Sequence, residues 1–347
     1  MLTKALLLKY DLGVAQAFYG NQAPTQTRRD QNTHGLLRQF DVSILQSRTL
    51  EDIQRGVEAA LDDALNSLCK NKGKLSTLEA AMCIGNEVSF QCFAESKSPV
   101  GYDECMQWGS CLTKVHTNSW MSNVCASALY HMKAAGVHGI IDKYNDAMLT
   151  SPLWPQFRKL ADDLLQHNAR MDDQDLALHL SYLTGFNGAF AMGFMLNGVF
   201  GHLDNRPKVL QALREELGKT RPNMDNIDSF PLLESFAVEV QRTLLRPTAM
   251  FRQAQKSFLL PCGNGKQYRV KKGEVLFAFN PTAQRDPDVF PYPNQFDAWR
   301  YIKHPAQKDK VWQFGWVPGT TFVCVCVCLC QCVCVYVCQC VCVCQCV

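Results

Sequence analysis

The apolar positions of this chain recur first at helical spacing. In residues 51–70, EDIQRGVEAALDDALNSLCK, the side chains Ile53, Val57, Ala60, Leu61, Ala64 and Leu65 share one face and charges occupy the other, which predicts an amphipathic helix. A second stretch, Leu176 to Leu203, holds no Asp, Glu, Lys or Arg and has Thr184 and Asn187 as its notable polar interruptions. A helix that is apolar all round belongs in the middle of a large fold. Asp204-Asn205 followed by Pro207 marks a stop and a restart, after which KVLQALREELGK reads as a surface helix with Gly218 near its end. Residues Ser229 to Pro247 read as a further helix closed by the proline. Beyond Pro247 the period changes. An Arg252-containing stretch, SFLLPC, QYRVKKG and VLFAFN read as short strands, separated by Gly263-Asn264-Gly265 and Lys271-Lys272-Gly273 turns. The pattern therefore predicts a mainly α architecture with a small late β-sheet.

The last residues obey a different rule. From Val323 onward every odd position is Val, Leu or Gln, and every even position is Cys except Tyr336. Metal sites space their ligands to suit a turn and keep no such dipeptide beat. A GT dinucleotide repeat read in frame yields Val-Cys without end, so residues 317–347 read as translated non-coding repeat, such as a retained intron beginning near Val317. No structure is assigned to them. The tail holds 11 of the 18 cysteines, leaving Cys69, Cys83, Cys92, Cys105, Cys111, Cys125 and Cys262 for the body, a usage that fits a reducing intracellular compartment.

Composition narrows the class further. With 47% hydrophobic and 19% charged residues and a net charge of +3, the chain is neither disordered nor a dedicated nucleic-acid binder. No stretch reaches the roughly 18 uncharged apolar residues of a membrane span, and the start, MLTKALLLKYDLG, is too short an apolar run for a signal peptide. The compartment stays unassigned.

Candidate chemistry begins at Glu239-Val240-Gln241-Arg242, where a carboxylate and a guanidinium stand three apart on one helix, in register to pair with each other or with a third partner. Downstream come KKGEVLFAFNPTAQRDPDVF from Lys271 to Phe290, PNQFDAWRY from Pro293 to Tyr301, and VWQFGW from Val311 to Trp316. On these residues the chain resembles the heme-thiolate cytochrome P-450 family. Glu239 and Arg242 match its Glu-x-x-Arg motif, and PNQFDAWRY matches the segment whose arginine, Arg300, joins them in a buried triad. FRQAQKSFLL with YRVKKGEVLFAFNPTAQRDPDVF is most similar to the fatty-acid hydroperoxide branch, which includes allene oxide synthase, hydroperoxide lyase and epoxyalcohol synthase. The likeness covers about residues 28–316 and makes residues 1–316 a partial P-450-like domain, lacking the family's N-terminal portion and its proximal cysteine loop.

The resemblance implies heme b as cofactor, a fatty-acid hydroperoxide or other lipid as substrate, and no nucleic acid and no reductase as partners. It places Asn187 opposite the substrate peroxide and gives His34 or Arg38, in DQNTHGLLRQF, a heme propionate. It also implies that iron breaks the peroxide bond homolytically. Oxygen-activating members carry an acid and then an alcohol in the long apolar helix, because dioxygen cleavage requires two delivered protons. Here GFNGAFAMG has no acid, and the amide of Asn187 can donate and accept without supplying a net proton. Counting from Phe314, the proximal pattern needs Gly and Cys where Val317 and Thr321 stand. Cys324 is within reach by distance but lacks glycines that let a backbone approach iron, so no metal ligand is assigned. Two other readings stay open: a monooxygenase of the same fold, and a catalytically inert, mis-spliced product that is at most a lipid-binding helical body.

Overall fold

The computed structural model describes residues 31–70, 76–107, 139–165, 171–218, 220, 226–244, 249–254, 256–262 and 265–311. The helices are α1 (Gln31–Gln46), α2 (Leu50–Lys70), α3 (Thr77–Ala94), α5 (Trp154–Leu164) after a helical segment α4 at 139–149, α6 (Asp173–Ser181), α7 (Ala189–Asp204), α8 (Pro207–Leu217) and α9 (Pro231–Leu244), with the short turns α10 (Asn280–Ala283) and α11 (Arg300–Lys303) near the end. The strands are β1 (Ala249–Gln253), β2 (Phe258–Pro261), β3 (Gln267–Val270) and β4 (Val275–Phe279).

Local chemistry sets the helix starts. Thr49 and Asp52 cap α2 reciprocally, the Asp52 amide donating to Thr49 Oγ1 at 3.1 Å and the Thr49 amide to Asp52 Oδ2 at 3.0 Å. Ser76 accepts from the Glu79 amide at the head of α3, and Asp172 from the Asp175 amide at the head of α6. At the head of α9 the cap comes from another helix. Glu216 of α8 accepts the Leu232 and Leu233 amides at 2.7 and 2.8 Å, so one carboxylate fixes where α9 begins.

Packing is organised around α3, which the periodicity of the sequence did not reveal. One side of it, with Ile84 and Val88, joins Val57, Leu61, Met195, Leu196, Leu213 and Phe236 in one core. The other, with Met82, Phe90 and Ala94, joins Phe40, Ile44, Tyr144, Phe157 and Leu176 in a second. A helix between two cores needs apolar residues all round and loses its amphipathic signature. Its principal partner is α7, and glycines let the two meet. A Cβ on Gly85 would stand 2.6 Å from the Gly193 nitrogen and 2.9 Å from the Ala189 oxygen, so backbone meets backbone there.

The stretch read as one long apolar helix is continuous but not uniform. Between α6 and α7 the seven residues Tyr182–Gly188 form a π-helix, a widened turn that often marks a functional position. The late strands form two separate antiparallel pairs, not a single sheet. β1 pairs with β4, in register Ala249↔Phe279 to Gln253↔Val275, and the β2–β3 hairpin is inserted between them, Phe258↔Val270 to Pro261↔Gln267. Gly265 and Gly273 take the positive φ (75° and 92°) that the two turns require. Among the described residues no helix is long and apolar enough to cross a membrane.

Candidate functional site

Glu239, Arg242 and Arg300 meet with relative exposures of 0%, 0% and 3%. The three-residue spacing on α9 lets Arg242 donate to Glu239 in a fork, Nε to Oε2 and Nη2 to Oε1, both at 2.8 Å. Arg300 arrives from α11 and donates Nε to both Glu239 oxygens at 3.1 Å. One carboxylate against two guanidiniums leaves a surplus positive charge, and main-chain carbonyls take up the remaining donors. Arg242 Nη1 donates to the Gln284 and Pro293 carbonyls at 2.8 Å, and Arg300 donates to the Pro291 carbonyl at 2.7 Å and the Gln295 carbonyl at 2.9 Å.

The carboxylate has further donors that sequence reasoning missed. The Asp297 amide donates to Glu239 Oε1 and the Tyr301 hydroxyl to Oε2, each at 3.1 Å. Burial, and then the charge of Glu239, push the Tyr301 hydroxyl far above the usual phenol range, which keeps it a donor. For Arg242, burial works against the cation, but its hydrogen bonds and attraction to Glu239 outweigh that and hold it above the ordinary guanidinium value. The Arg242 guanidinium also lies over the Phe290 ring, 5.3 Å from its centroid. This is a finished structural network with no reactive group left over.

A second cluster steadies the loop that feeds the triad. Phe296 stacks on His202 of α7, centroids 4.0 Å apart, and the Arg206 guanidinium lies 4.6 Å from the same ring centroid. Thr243 donates its hydroxyl to the Glu239 carbonyl, so it accepts from His202 Nε2 at 3.1 Å, and His202 Nδ1 is left to accept from Arg206 Nη1 at 2.9 Å. Burial, followed by the Arg206 charge, pulls the His202 pKa down to about 4 and keeps the ring neutral.

Around the π-helix the described polar groups bind one another. Thr184, 2% exposed, donates its hydroxyl to the Leu180 carbonyl at 2.8 Å, while the Thr184 carbonyl accepts from Ser89 Oγ at 2.7 Å. Ser181 donates to Asn145 Oδ1 at 2.8 Å. The alcohol of this turn is thus engaged with backbone, and no acid stands in the Leu176–Leu203 stretch. Asn187 belongs to the π-helix, three residues beyond Thr184, and its side chain lies outside the described residues. His34 and Arg38 are both on α1, and their side chains also lie outside them. α1 is tied to this region through His179 of α6, fully buried, which shares a 2.6 Å hydrogen bond with Asp41 and a ring contact with Phe40, centroids 5.6 Å apart.

The fold around these sites is that of known heme proteins. A family model described as Cytochrome P450 matches residues 136–318, and the chain belongs to that family. It is 28% identical over 317 residues to a mitochondrial hydroperoxide bicyclase of Plasmodiophora brassicae, covering 88% of this chain and 56% of the relative. To a mitochondrial hydroperoxide bicyclase of Ectocarpus siliculosus it is 25% identical over 321 residues, covering 86% and 61%. Among solved structures, a zebra fish cytochrome P450 superposes with a TM-score of 0.69 at 14% identity, covering 95% of this chain and 78% of that one.

The cofactor of this family is heme. Among the described residues no group of three or more His, Cys, Asp or Glu could hold a metal ion. Iron takes a thiolate, and two of their thiols are held against that form. Burial pushes the Cys105 thiol up to about 12, and burial with the nearby charges of Glu79, Asp103 and Glu87 raises Cys83. Cys92 is buried with its sulfur 3.5 Å from the Ile53 carbonyl. Cys262 follows strand β2, where its sulfur is 3.8 Å from the Leu260 carbonyl. No iron ligand is assigned among the described residues, and Cys324 lies outside them.

Proposed function

We propose that this chain is the core of a P450 that converts fatty-acid hydroperoxides by cleaving the O–O bond, needing neither dioxygen nor a reductase. The observation that carries this reading is the π-helix: an acid-free turn whose threonine hydroxyl is engaged with the Leu180 carbonyl and whose sequence includes Asn187. A peroxide already contains the reduced O–O unit, so its cleavage requires positioning and no delivery of two protons. Asn187 is proposed to supply that positioning, donating from its NH2 to one peroxide oxygen and accepting through its carbonyl. Both bicyclases named above act on hydroperoxides by their names, and their likeness spans most of this chain, which supports the same substrate class.

His34 and Arg38 remain proposals for the propionate contact by charge-assisted hydrogen bonds, being one helical turn apart on α1. Residues 317–347 remain proposed as translated repeat. The family match ends at residue 318, before the Val-Cys alternation starts, which supports that division.

The test is a chimera in which residues 31–311 replace the matching segment of the Plasmodiophora brassicae relative. It should consume a polyunsaturated fatty-acid hydroperoxide with no NADPH, reductase or dioxygen present. Asn187→Ala should lower that turnover about ten- to hundredfold, the loss of about 1.4 to 2.7 kcal/mol of transition-state positioning, with the melting temperature little changed. Turnover strictly dependent on dioxygen and NADPH would establish the monooxygenase reading instead, and full activity in Asn187→Ala would reduce that residue to packing.

A further inference from the structure

The C-terminal end of α7 carries an open groove of about 360 Å³, lined by Asn197, Gly198, Gly201, His202, Asn205 and Arg206. Asn197, Gly201 and Asn205 form one row four residues apart, and Gly198, His202 and Arg206 form the next, so all six share one side of the helix and of its exit. The two glycines play different parts. A Cβ on Gly198 would stand 2.5 Å from Leu244 Cδ1, so α9 packs closely there, whereas a Cβ on Gly201 would meet nothing within 4 Å. Gly201 is 14 residues beyond Asn187, roughly 20 Å along the helix axis.

At the far end of this groove a guanidinium is held in place without being neutralised. Arg206 lies 4.6 Å from the Phe296 ring centroid and donates Nη1 to His202 Nδ1 at 2.9 Å. Among the described residues no carboxylate pairs with it, and none accepts from its Nε or Nη2. That edge offers two parallel N–H donors. The neighbouring amides add to it. Asn205 donates one N–H to the Gly201 carbonyl at 2.7 Å and keeps a second, and half-buried Asn197 hydrogen-bonds no described residue. A cation fixed by contacts that leave its charge unanswered is preorganised for an anion.

We propose that this groove binds a small amphiphilic carboxylate, its two oxygens on the Nε–Nη2 edge of Arg206 with a further donor in Asn205, and its apolar body lying over Gly201. Carboxylate oxygens are spaced to accept two parallel guanidinium donors. One guanidinium balances one negative charge. A phosphate dianion would bring a second charge to a groove whose lining holds no second Lys or Arg and whose histidine is neutral. The bare backbone at Gly201 leaves an apolar body room that a side chain would otherwise fill. This site is independent of the reaction proposed above.

Octanoate is the probe, titrated at pH 7 into the full 347-residue chain under reducing conditions while the histidine imidazoles are followed by NMR. The His202 signal is identified by its loss in His202→Gln. It should move saturably with octanoate, and far less with octanol, which lacks the charge, or with sulfate at equal ionic strength, which lacks the apolar body. Gly201→Leu fills the open space of the groove, and Arg206→Lys keeps the charge but removes the paired donors, so each should weaken octanoate binding about tenfold or more. Gly201→Leu should melt no lower than the parent, because glycine is the poorer helix former, and its loss of binding is then not a loss of fold. An unmoved His202 signal, equal movement with octanol or sulfate, or unchanged binding in either variant overturns the proposal.

Discussion

The triad on α9 and the crossing of α3 over α7 are both fully buried, yet they are held by opposite means. At the triad, one carboxylate and two guanidiniums are taken out of water, and every charge is answered, by another charge or by a main-chain group of the loop 284–297. At the crossing there is almost nothing polar, and the contact exists because Gly85 and Gly193 have no side chains. The first region depends on what its residues contribute, and the second on what they leave out. A polar network specifies one partner geometry and fails when a member is lost. A glycine contact fails when an atom is added.

The largest effect that could break this contrast lies in the triad. Arg242→Ala leaves Glu239 paired with Arg300 alone and orphans the Gln284 and Pro293 carbonyls, so unfolding free energy should fall by about 3 to 5 kcal/mol in denaturant titration. An unchanged midpoint would mean that the network is ornamental. At the crossing, Gly85→Ala puts a methyl against backbone that has no rotamer by which to yield. A loss of about 1 to 3 kcal/mol is expected despite alanine's better helix propensity. The same substitution at Gly201 of α7, where a Cβ meets nothing within 4 Å, should instead stabilise by about 1 kcal/mol. Equal effects at the two glycines would remove the steric explanation.

The smallest effect tests how the triad's loop is pinned. The His202 pKa is depressed in the fold, to about 4, so the unfolded chain binds the extra proton. The stability it contributes is present above its unfolded value, near 6.5, and is lost as pH falls towards 4. With Arg206 donating to Nδ1 and only Glu239 pulling the other way, protonation sets an N–H against the guanidinium. His202→Gln should therefore flatten the difference in stability between pH 7 and pH 4 by on the order of 1 kcal/mol, discounted for the ring's partial exposure. Parallel pH curves for parent and variant would leave Phe296 to be held by stacking alone.

How legible each region was follows from the same contrast. Glu239 and Arg242 could be paired from their spacing, because three residues on a helix is a local distance. Arg300 lies 58 positions further along and was placed by family resemblance, its geometry coming only from the fold. The Asp297 amide and the carbonyls of Gln284, Pro291, Pro293 and Gln295 had no sequence signal at all, since every residue carries the same main-chain groups. Tyr301 was readable as a letter beside Arg300 but not as a donor to Glu239.

By itself the sequence determined the mainly helical class, the amphipathic faces of α2 and α8, the breaks at Pro207 and Gly218, the four late strands with their turns, and the absence of an acid between Leu176 and Leu203. These are properties of short windows, where period, proline, glycine and side-chain type act on their neighbours. Tertiary structure alone decided that α3 is the wall between two cores, that the strands form two separate pairs, and that Tyr182–Gly188 widens into a π-helix. A helix buried on both sides carries no period to read, β1 finds β4 across an intervening hairpin, and the π-turn lies against Ser89 of α3, a contact far outside any short window.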